Sequence, residues 1–303
     1  MNTLYNTDLD ILPIGSVITG KWNKIKYTII KTLGSGENGN VYLVKSNNNN
    51  YALKMSQDTI NLSNEIRIAQ RLNKTQGSNL GFSIFDIDDF AISGKNYTFY
   101  IMPYYKGLNI EQYLFGKSEK EYLLLFKKII NILVLIHKQG MIYGDLKPEH
   151  IVIDPVNKKI ALIDFGGITK LGQGIRQYTE IYDRGSWRAG DRKADPHYDF
   201  FSLAMIFVQT GLGKNKLVKI FKHSGRFNGI YDIIPKVNVL KPLSPIIKNI
   251  FRSHLTDPNE IINQIDKQLE NLIQQKKANK WIDWAFILTL LLFIIMVILF
   301  FRL

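Results

Sequence analysis

Residues 141–150 read Met-Ile-Tyr-Gly-Asp-Leu-Lys-Pro-Glu-His, and after a short apolar run residues 163–166 read Ile-Asp-Phe-Gly. Two aspartates stand in this stretch, Asp145 and Asp164, separated by enough chain for a loop and a β-hairpin. Lys147 follows the first aspartate by two residues. The stretch therefore holds two carboxylates and one ammonium group, and the rest of the chain is interpreted around it.

Upstream, residues 34–41 read Gly-Ser-Gly-Glu-Asn-Gly-Asn-Val, between the β-rich runs 27–33 and 41–45. A glycine triplet by itself also fits an ordinary hairpin turn, and a dinucleotide-binding fingerprint would need a helix after the glycines. Here Val-Tyr-Leu-Val follows and predicts a strand. The pattern favours a glycine-rich β-hairpin, and the residues that define it are Gly34, Gly36, Gly39 and Val41.

The next strand is predicted at Tyr51-Ala52-Leu53-Lys54, and it ends in a lysine. A helix is predicted over 59–73, because apolar residues recur there near helical spacing. Glu65 lies in this helix and is the candidate partner of Lys54. The alternatives are a lysine at a solvated strand edge and an exposed helical glutamate. The apolar positions are Ile60, Ile66, Ala69 and Leu72.

Further strands are predicted at 83–87 and 97–102, followed by a helix over 119–139 that ends at Gly140. His137 lies on the apolar side of that helix and is interpreted as a packing residue. Residues 168–192 form a loop rich in Gly, Thr and Arg, and a last polar helix is predicted over about 259–275.

Composition limits the classes of protein. The chain has 303 residues, enough for two lobes, and it has no cysteine, which excludes disulfides and thiolate metal sites. Its formal net charge of +13 favours anionic partners. Residues 211–255 hold nine Lys or Arg against one acid and are the candidate receiver for DNA or acidic lipid. A merely solvated basic face, or a lysine-rich compositional bias, would give the same count.

The C-terminal part differs from the rest of the chain in composition. Residues 285–301 carry no charge and a single threonine, and Trp281 and Trp284 precede them. A buried core helix is the alternative, but apolar character on every face argues against it. We predict a transmembrane anchor at 281–301, and the lysines before it place the rest of the chain in the cytoplasm of a cell-membrane protein.

In order along the chain, these motifs resemble the eukaryotic-type (Hanks-type) Ser/Thr protein kinases of bacteria. The resemblance covers about residues 27–275 and includes Asp199 in Asp-Phe-Phe-Ser-Leu-Ala. More narrowly, Gly-Lys-Trp-Asn at 20–23, the sequences at 144–148, 178–180 and 182–185 and the anchor resemble membrane-anchored sporulation kinases of endospore-forming bacteria. The resemblance implies an α+β, bilobal protein-kinase-like fold with a C-terminal transmembrane helix. The implied domains are a leader at 1–26, an N-lobe at 27–103, a C-lobe at 104–275 and an anchor at 281–301.

The resemblance also implies roles. Asp145 would orient the attacking hydroxyl of a protein Ser or Thr, Lys147 would stabilise the transferred phosphoryl group, and Asp164 would bind Mg²⁺. Lys54, paired with Glu65, would contact the ATP phosphates beneath the glycine hairpin. Met102 would be the gatekeeper, with the backbone around Tyr104 holding the adenine. Ser186 would match the hydroxyl residue that bridges Asp145 and Lys147, and Asp199 would support the catalytic loop.

Three departures from the family pattern stand out. Tyr143-Gly144 replaces the usual His-Arg, so activation by a loop phosphate through that arginine is not expected. His150 stands where the family has the asparagine that is the second metal ligand, and imidazole suits Mg²⁺ poorly. Reduced activity, a preference for Mn²⁺, or use of a single metal would follow. There is also no Ala-Pro-Glu motif; Arg-Ala-Gly-Asp at 188–191 stands nearby.

Two functions from different classes remain. One is a Ser/Thr protein kinase that uses ATP. The other is a pseudokinase that acts as a membrane-tethered scaffold or DNA-binding module. His150 favours the second, whereas the retained Lys54, Asp145, Lys147 and Asp164 favour the enzyme.

Overall fold

A six-stranded antiparallel sheet forms the first part of the structure, with strand order β1-β2-β3-β4-β6-β5. The structure is a computed structural model that describes residues 12–36, 39–76, 83–92, 94–224 and 227–300; residues 1–11 of the predicted leader and the tip of the glycine hairpin, residues 37–38, lie outside them. The strands are β1 (Val17–Thr19), β2 (Lys26–Gly36), β3 (Gly39–Ser46), β4 (Asn49–Ser56), β5 (Asp86–Ile92) and β6 (Lys95–Pro103). The strand predicted at 83–87 thus begins later, at Asp86.

Alternation along β4 gives the sheet two different faces, because successive side chains in a strand point to opposite sides. Leu53 and Met55 join a core cluster with Tyr42 and Phe99. Ala52 and Lys54, one residue out of phase, line the cleft on the other side. The strand pattern therefore places the predicted lysine in the cleft and its apolar neighbours in the core.

The helix α1 (Thr59–Gln76) packs against this sheet along one face. Its buried apolar residues are Leu62, Ile66, Ala69 and Leu72. Ile60, which the sequence pattern assigned to the same apolar face, is 75% exposed. At about 100° per residue, Ile60 lies on the side of the helix opposite to the stripe that the other four residues define.

The second part of the structure is mainly helical. The long helix α3 begins at a capping box, in which Ser118 and Glu121 each bond the other's backbone N–H. The helix α4 is buried along most of its length. The elements are β7 (Leu108–Asn109), α2 (Ile110–Leu114), α3 (Glu119–His137), β8 (Met141–Ile142), β9 (Ile151–Ile153), β10 (Ile160–Leu162), β11 (Thr169–Lys170), α4 (Pro196–Leu212), α5 (Lys214–Ser224), α6 (Asn228–Ile233) and α7 (Ser244–Phe251).

Two small sheets position the loops of the cleft. One has three strands in the order β10-β9-β7, and the other consists of β11 paired with β8. The segment between β8 and β9 contains Asp145, and the segment between β10 and β11 contains Asp164. The two pairings therefore bring the two aspartate loops to the same region.

The last helix, α8 (Pro258–Phe300), is continuous, where the sequence predicted two separate segments. Ile261 and Ile265 in its first half are fully buried, and Lys127 on α3 forms an ion pair with Asp266 at 2.6 Å. In its second half the described large apolar side chains are exposed, for example Trp284 at 69% and Phe286 at 67%. The first half thus contributes to the core, whereas the second half presents most of its described large apolar side chains to solvent.

No helix within the described residues has the length and apolar character to cross a membrane. The prediction of a transmembrane helix at 281–301 is therefore not supported by the described part of the chain, and the end of that range lies outside it.

Candidate active site

A cleft of about 1000 Å³ lies between the sheet and the helical part. Its volume is at the upper end of the range for small-molecule sites. The glycine hairpin β2–β3 forms its roof, and the segment after β6 forms its back. Of the predicted site residues, these line it: Gly34, Gly36, Gly39, Val41, Lys54, Met102, Tyr104, Asp145, Lys147, His150 and Asp164.

Lys54 joins the two walls of the cleft through two carboxylates. Its Nζ lies 2.7 Å from Glu65 Oε1 on α1 and 2.9 Å from Asp164 Oδ1. Burial alone would lower the pKa of Lys54, but the two carboxylates outweigh it and raise that pKa. Lys54 therefore stays charged although it is almost fully buried. Glu65, predicted only as a candidate partner, is buried and also accepts the backbone N–H of Phe165 at 3.1 Å.

Asp164 is held as a carboxylate. Burial would raise its pKa, but Lys54 and the backbone N–H of Gly166, 3.1 Å from Oδ1, help to lower it well below its usual range. Its backbone lies in the left-handed region at φ 70°, which is rare for a residue with a side chain. The phenol of Tyr143 supports this conformation by donating to the carbonyl of Asp164 at 2.7 Å and by contacting that of Ile163.

Asp145 accepts donors on both carboxylate oxygens. Lys147 Nζ lies 3.3 Å from Oδ2, and the Thr179 hydroxyl donates to Oδ1 at 3.0 Å. Thr179 is the residue that sequence reasoning missed, although it lies in the Tyr-Thr-Glu sequence that carries part of the family resemblance. Ser186, predicted for this position, instead donates to Asp183 at 2.7 Å. The prediction for Ser186 was wrong because the chain turns back between the two residues, through a 3₁₀ turn at Glu180–Tyr182.

Asp199 fixes the loop that carries Asp145. Its fully buried carboxylate accepts the backbone N–H groups of Tyr143 at 2.7 Å and Gly144 at 2.9 Å. His137 Nε2 lies 2.8 Å from the same carboxylate, so His137 is not a packing residue alone. These contacts give Asp199 the supporting position that the resemblance implied.

Gly144 lies in the left-handed region at φ 82°, and a Cβ built there would be 2.3 Å from the carbonyl oxygen of Gly167. Such a contact requires a backbone shift. The arginine that the family has at this position therefore does not fit this backbone, which gives the departure seen in the sequence a steric reason.

His150 lies between the two aspartates. Its Nδ1 is 2.9 Å from the backbone carbonyl oxygen of Asp145, and its Nε2 is 3.6 Å from Asp164 Oδ2. Burial lowers the pKa of His150 and opposes a charged ring. No group of three or more His, Asp or Glu positioned to hold a metal occurs within the described residues. A metal ion here would take Asp164 and His150 from the protein and its other ligands from a nucleotide.

The residues present fit such an ion. Asp164 Oδ2 accepts no hydrogen bond within the described part of the chain, whereas Oδ1 accepts two. An ionised carboxylate with one free oxygen facing the cleft is suited to a hard divalent cation.

Comparisons with known proteins agree with this geometry. The family model for the protein kinase domain matches residues 27–280. The serine/threonine-protein kinase YabT of Bacillus subtilis is 40% identical over 198 residues, which are 65% of this chain and 59% of YabT. The serine/threonine-protein kinase CLA4 of Candida albicans is 24% identical over 90% of this chain and 29% of its own length. The chain thus spans less than two thirds of the length of these relatives.

Among solved structures, vaccinia related kinase 3 superposes with a TM-score of 0.61 at 16% identity, covering 88% of this chain and 93% of that one. The kinase PK-1 of the Cydia pomonella granulovirus superposes with a TM-score of 0.60 at 16% identity, covering 78% and 93%. At this identity the likeness concerns the fold, which is that of the two-lobed kinases.

Proposed function

Because the chain belongs to the protein kinase family, we propose that it transfers the γ-phosphoryl group of ATP to serine or threonine hydroxyls of proteins. One observation carries this proposal. The Thr179 hydroxyl lies 3.0 Å from Asp145 Oδ1, with Lys147 3.3 Å from the other oxygen. An aspartate that already accepts a hydroxyl and adjoins a lysine has the contacts that a phosphoacceptor hydroxyl requires.

Each residue then has a definite task. Asp145 accepts the hydrogen bond of the attacking hydroxyl and, as transfer proceeds, its proton. Lys147 lies beside the charge that develops on the transferred group. Lys54, held by Glu65 and Asp164, presents its ammonium group to the nucleotide phosphates beneath the glycine hairpin. When bound, Mg²⁺ or Mn²⁺ would neutralise phosphate charge at Asp164.

The alternative is a pseudokinase that keeps the fold without turnover. The Lys54–Glu65 pair argues against it, because a buried charge pair is costly to keep without a use. The Lys54–Asp164 and Asp145–Lys147 contacts complete the set that phosphoryl transfer requires. The family match and the kinase relatives also favour the enzyme.

The test uses the purified chain with labelled ATP, a protein mixture and either Mg²⁺ or Mn²⁺. Wild type should label proteins on Ser or Thr, and Asp145→Asn should abolish labelling while ATP binding persists. Asp164→Asn should abolish metal-dependent ATP binding. Equal, null labelling by wild type and Asp145→Asn with both metals would establish the pseudokinase.

We further propose that the second half of α8 attaches the chain to the cell membrane, with the catalytic part in the cytoplasm. The exposed apolar side chains of this half support attachment, and Lys276 and Lys277 before it support the orientation. The chain should float with anionic lipid vesicles, and a variant lacking residues 285–303 should not. Equal recovery of both at the bottom of the gradient would contradict the attachment.

We also propose that the basic region 211–255 is a binding surface for DNA or acidic lipid. On α5, Lys214, Lys216 and Lys219 are exposed, and Lys222 lies in its last turn. Replacing Lys216, Lys219 and Lys222 together by Gln should weaken DNA binding and reduce its salt dependence by about three phosphate contacts. An unchanged salt slope would leave only a solvated basic face.

A further inference from the structure

The ring of His150 is held in one tautomer by the backbone. Its Nδ1 lies 2.9 Å from the carbonyl oxygen of Asp145. A carbonyl oxygen only accepts hydrogen bonds, so the hydrogen of this contact belongs to Nδ1. A neutral imidazole carries one ring hydrogen, and Nε2 is then left with a lone pair.

That lone pair faces a carboxylate oxygen. His150 Nε2 lies 3.6 Å from Asp164 Oδ2, which is too long for a hydrogen bond. His137 offers a contrast within the same chain, because its Nε2 is 2.8 Å from Asp199 Oδ2 and donates a hydrogen bond to it. At His150 the longer separation leaves room for a cation between the ring nitrogen and the carboxylate oxygen.

The distance suits a shared ion. Two ligand atoms that each lie about 2.1 Å from one ion are about 3.0 Å apart at a right angle and about 4.2 Å apart when opposite, so the 3.6 Å separation lies within the span that one ion can bridge. The other oxygen of Asp164 is occupied by Lys54 and by the N–H of Gly166, which leaves Oδ2 as the one available to an ion.

We propose that Asp164 and His150 form a mixed oxygen–nitrogen site that selects a first-row transition-metal ion, with Mn²⁺ as its representative, over Mg²⁺ in the nucleotide complex. Mg²⁺ demands oxygen ligands, whereas imidazole is a good ligand for the transition metals. The inference rests on the proposed function, since nucleotide phosphates supply the remaining ligands.

The first experiment measures metal binding and not turnover. The chain is saturated with a non-hydrolysable ATP analogue, Mn²⁺ binding is followed by the loss of the free-ion electron paramagnetic resonance signal, and Mg²⁺ affinity by competition. Wild type should prefer Mn²⁺ to Mg²⁺ about tenfold more strongly than His150→Asn does. The matched control is His223→Asn, an exposed histidine on α5, which should keep the wild-type ratio. A ratio unchanged by His150→Asn overturns the proposal.

A second measurement needs no variant at the site. Nuclear magnetic resonance of the ¹⁵N-labelled imidazole rings reports tautomer, protonation and metal contact of His150 in the wild-type chain. The expected result is an Nε2 signal that is broadened by Mn²⁺, with Nδ1 keeping its hydrogen bond to the carbonyl oxygen of Asp145. An Nε2 signal that saturating Mn²⁺ leaves unchanged overturns the proposal.

The outcomes separate this inference from the proposed function. Protein phosphorylation supported equally by Mg²⁺ and Mn²⁺ in both wild type and His150→Asn leaves the kinase standing and removes the metal selection. A metal preference that depends on His150, without phosphoryl transfer in either metal, keeps the site and removes the kinase.

Discussion

Asp145 is positioned by a near neighbour in the sequence and by residues from two distant parts of the chain. The backbone of its loop donates to the Asp199 carboxylate, and its own carboxylate accepts hydrogen bonds from Lys147 and from Thr179, which lies in the segment after β11. Thr179 is a positioning residue, because it acts on Asp145 and lies where an incoming hydroxyl would compete for the same carboxylate.

Thr179→Val removes the hydroxyl and keeps the shape. Because a hydrogen bond to a charged group contributes about 1.5–3 kcal/mol, kcat for protein phosphorylation should fall about tenfold or more. KM for ATP should not change, since the Thr179 hydroxyl bonds Asp145 and not Lys54 or Asp164. Thr179→Ser keeps the hydroxyl and should restore most of the rate. A rate lost equally in both variants would contradict the role.

Asp183 shows how one buried carboxylate organises the segment after Thr179. It accepts the Tyr198 hydroxyl at 2.7 Å, Ser186 Oγ at 2.7 Å and Arg192 Nε at 2.9 Å. Burial would raise the pKa of Asp183, but these donors outweigh it and lower that pKa. The stabilisation is therefore present above the unfolded-state pKa of about 4 and is lost as the pH falls through the folded-state pKa.

Asp183→Asn should lower the free energy of unfolding at pH 7 by about 2–3 kcal/mol, measured by urea denaturation. The variant should also lose less stability than wild type between pH 5 and pH 3, because the group that takes up the proton is gone. The exposed Asp232→Asn should remain within about 0.5 kcal/mol of wild type. Parallel pH profiles for wild type and Asp183→Asn would refute the assignment.

At the scale of elements, the turn after β8 determines what the catalytic loop can contain. Gly140 and Gly144 flank this short strand, and both have positive φ, at 72° and 82°. They differ in their surroundings. A Cβ at Gly140 would meet nothing within 4 Å, whereas one at Gly144 would meet the carbonyl oxygen of Gly167.

The two alanine variants test this difference. Gly140→Ala should cost about 1–2 kcal/mol from the left-handed backbone alone, and Gly144→Ala should cost roughly 1–3 kcal/mol more from the clash. Urea denaturation of the two variants measures the gap. Equal costs would mean that the loop can shift, and the steric reason for the missing arginine would then fail.

At the scale of the whole molecule, α8 divides into two halves with different surroundings. The first half is held by Ile261, Ile265 and the Lys127–Asp266 pair, and the second half exposes its described large side chains. Because apolar burial contributes about 25 cal/mol per Å², only the first half stabilises the catalytic part.

Deletion of residues 285–303 should therefore leave the free energy of unfolding within about 0.5 kcal/mol of wild type. Ile265→Ala, at a fully buried position, should cost about 2–5 kcal/mol in the same urea experiment. A large loss of stability on deletion would mean that the second half packs on the catalytic part after all.

The sequence alone predicted the family and most of the elements around the cleft, because its motifs are local: Gly34 to Val41, Lys54, Asp145 with Lys147, and Asp164 each lie in a short segment whose pattern is recognisable without its neighbours. The family is confirmed by the match over residues 27–280. The sequence also located the departures at Gly144 and His150.

Only the tertiary structure decided how these segments meet. Thr179 rather than Ser186 reaches Asp145, Gly144 faces the carbonyl of Gly167, and Nε2 of His150 faces Asp164. Each of these depends on distances of a few ångströms between segments far apart in the chain. Hydrogen bonds and steric contacts are sensitive to tenths of an ångström, and residue order alone does not carry that information.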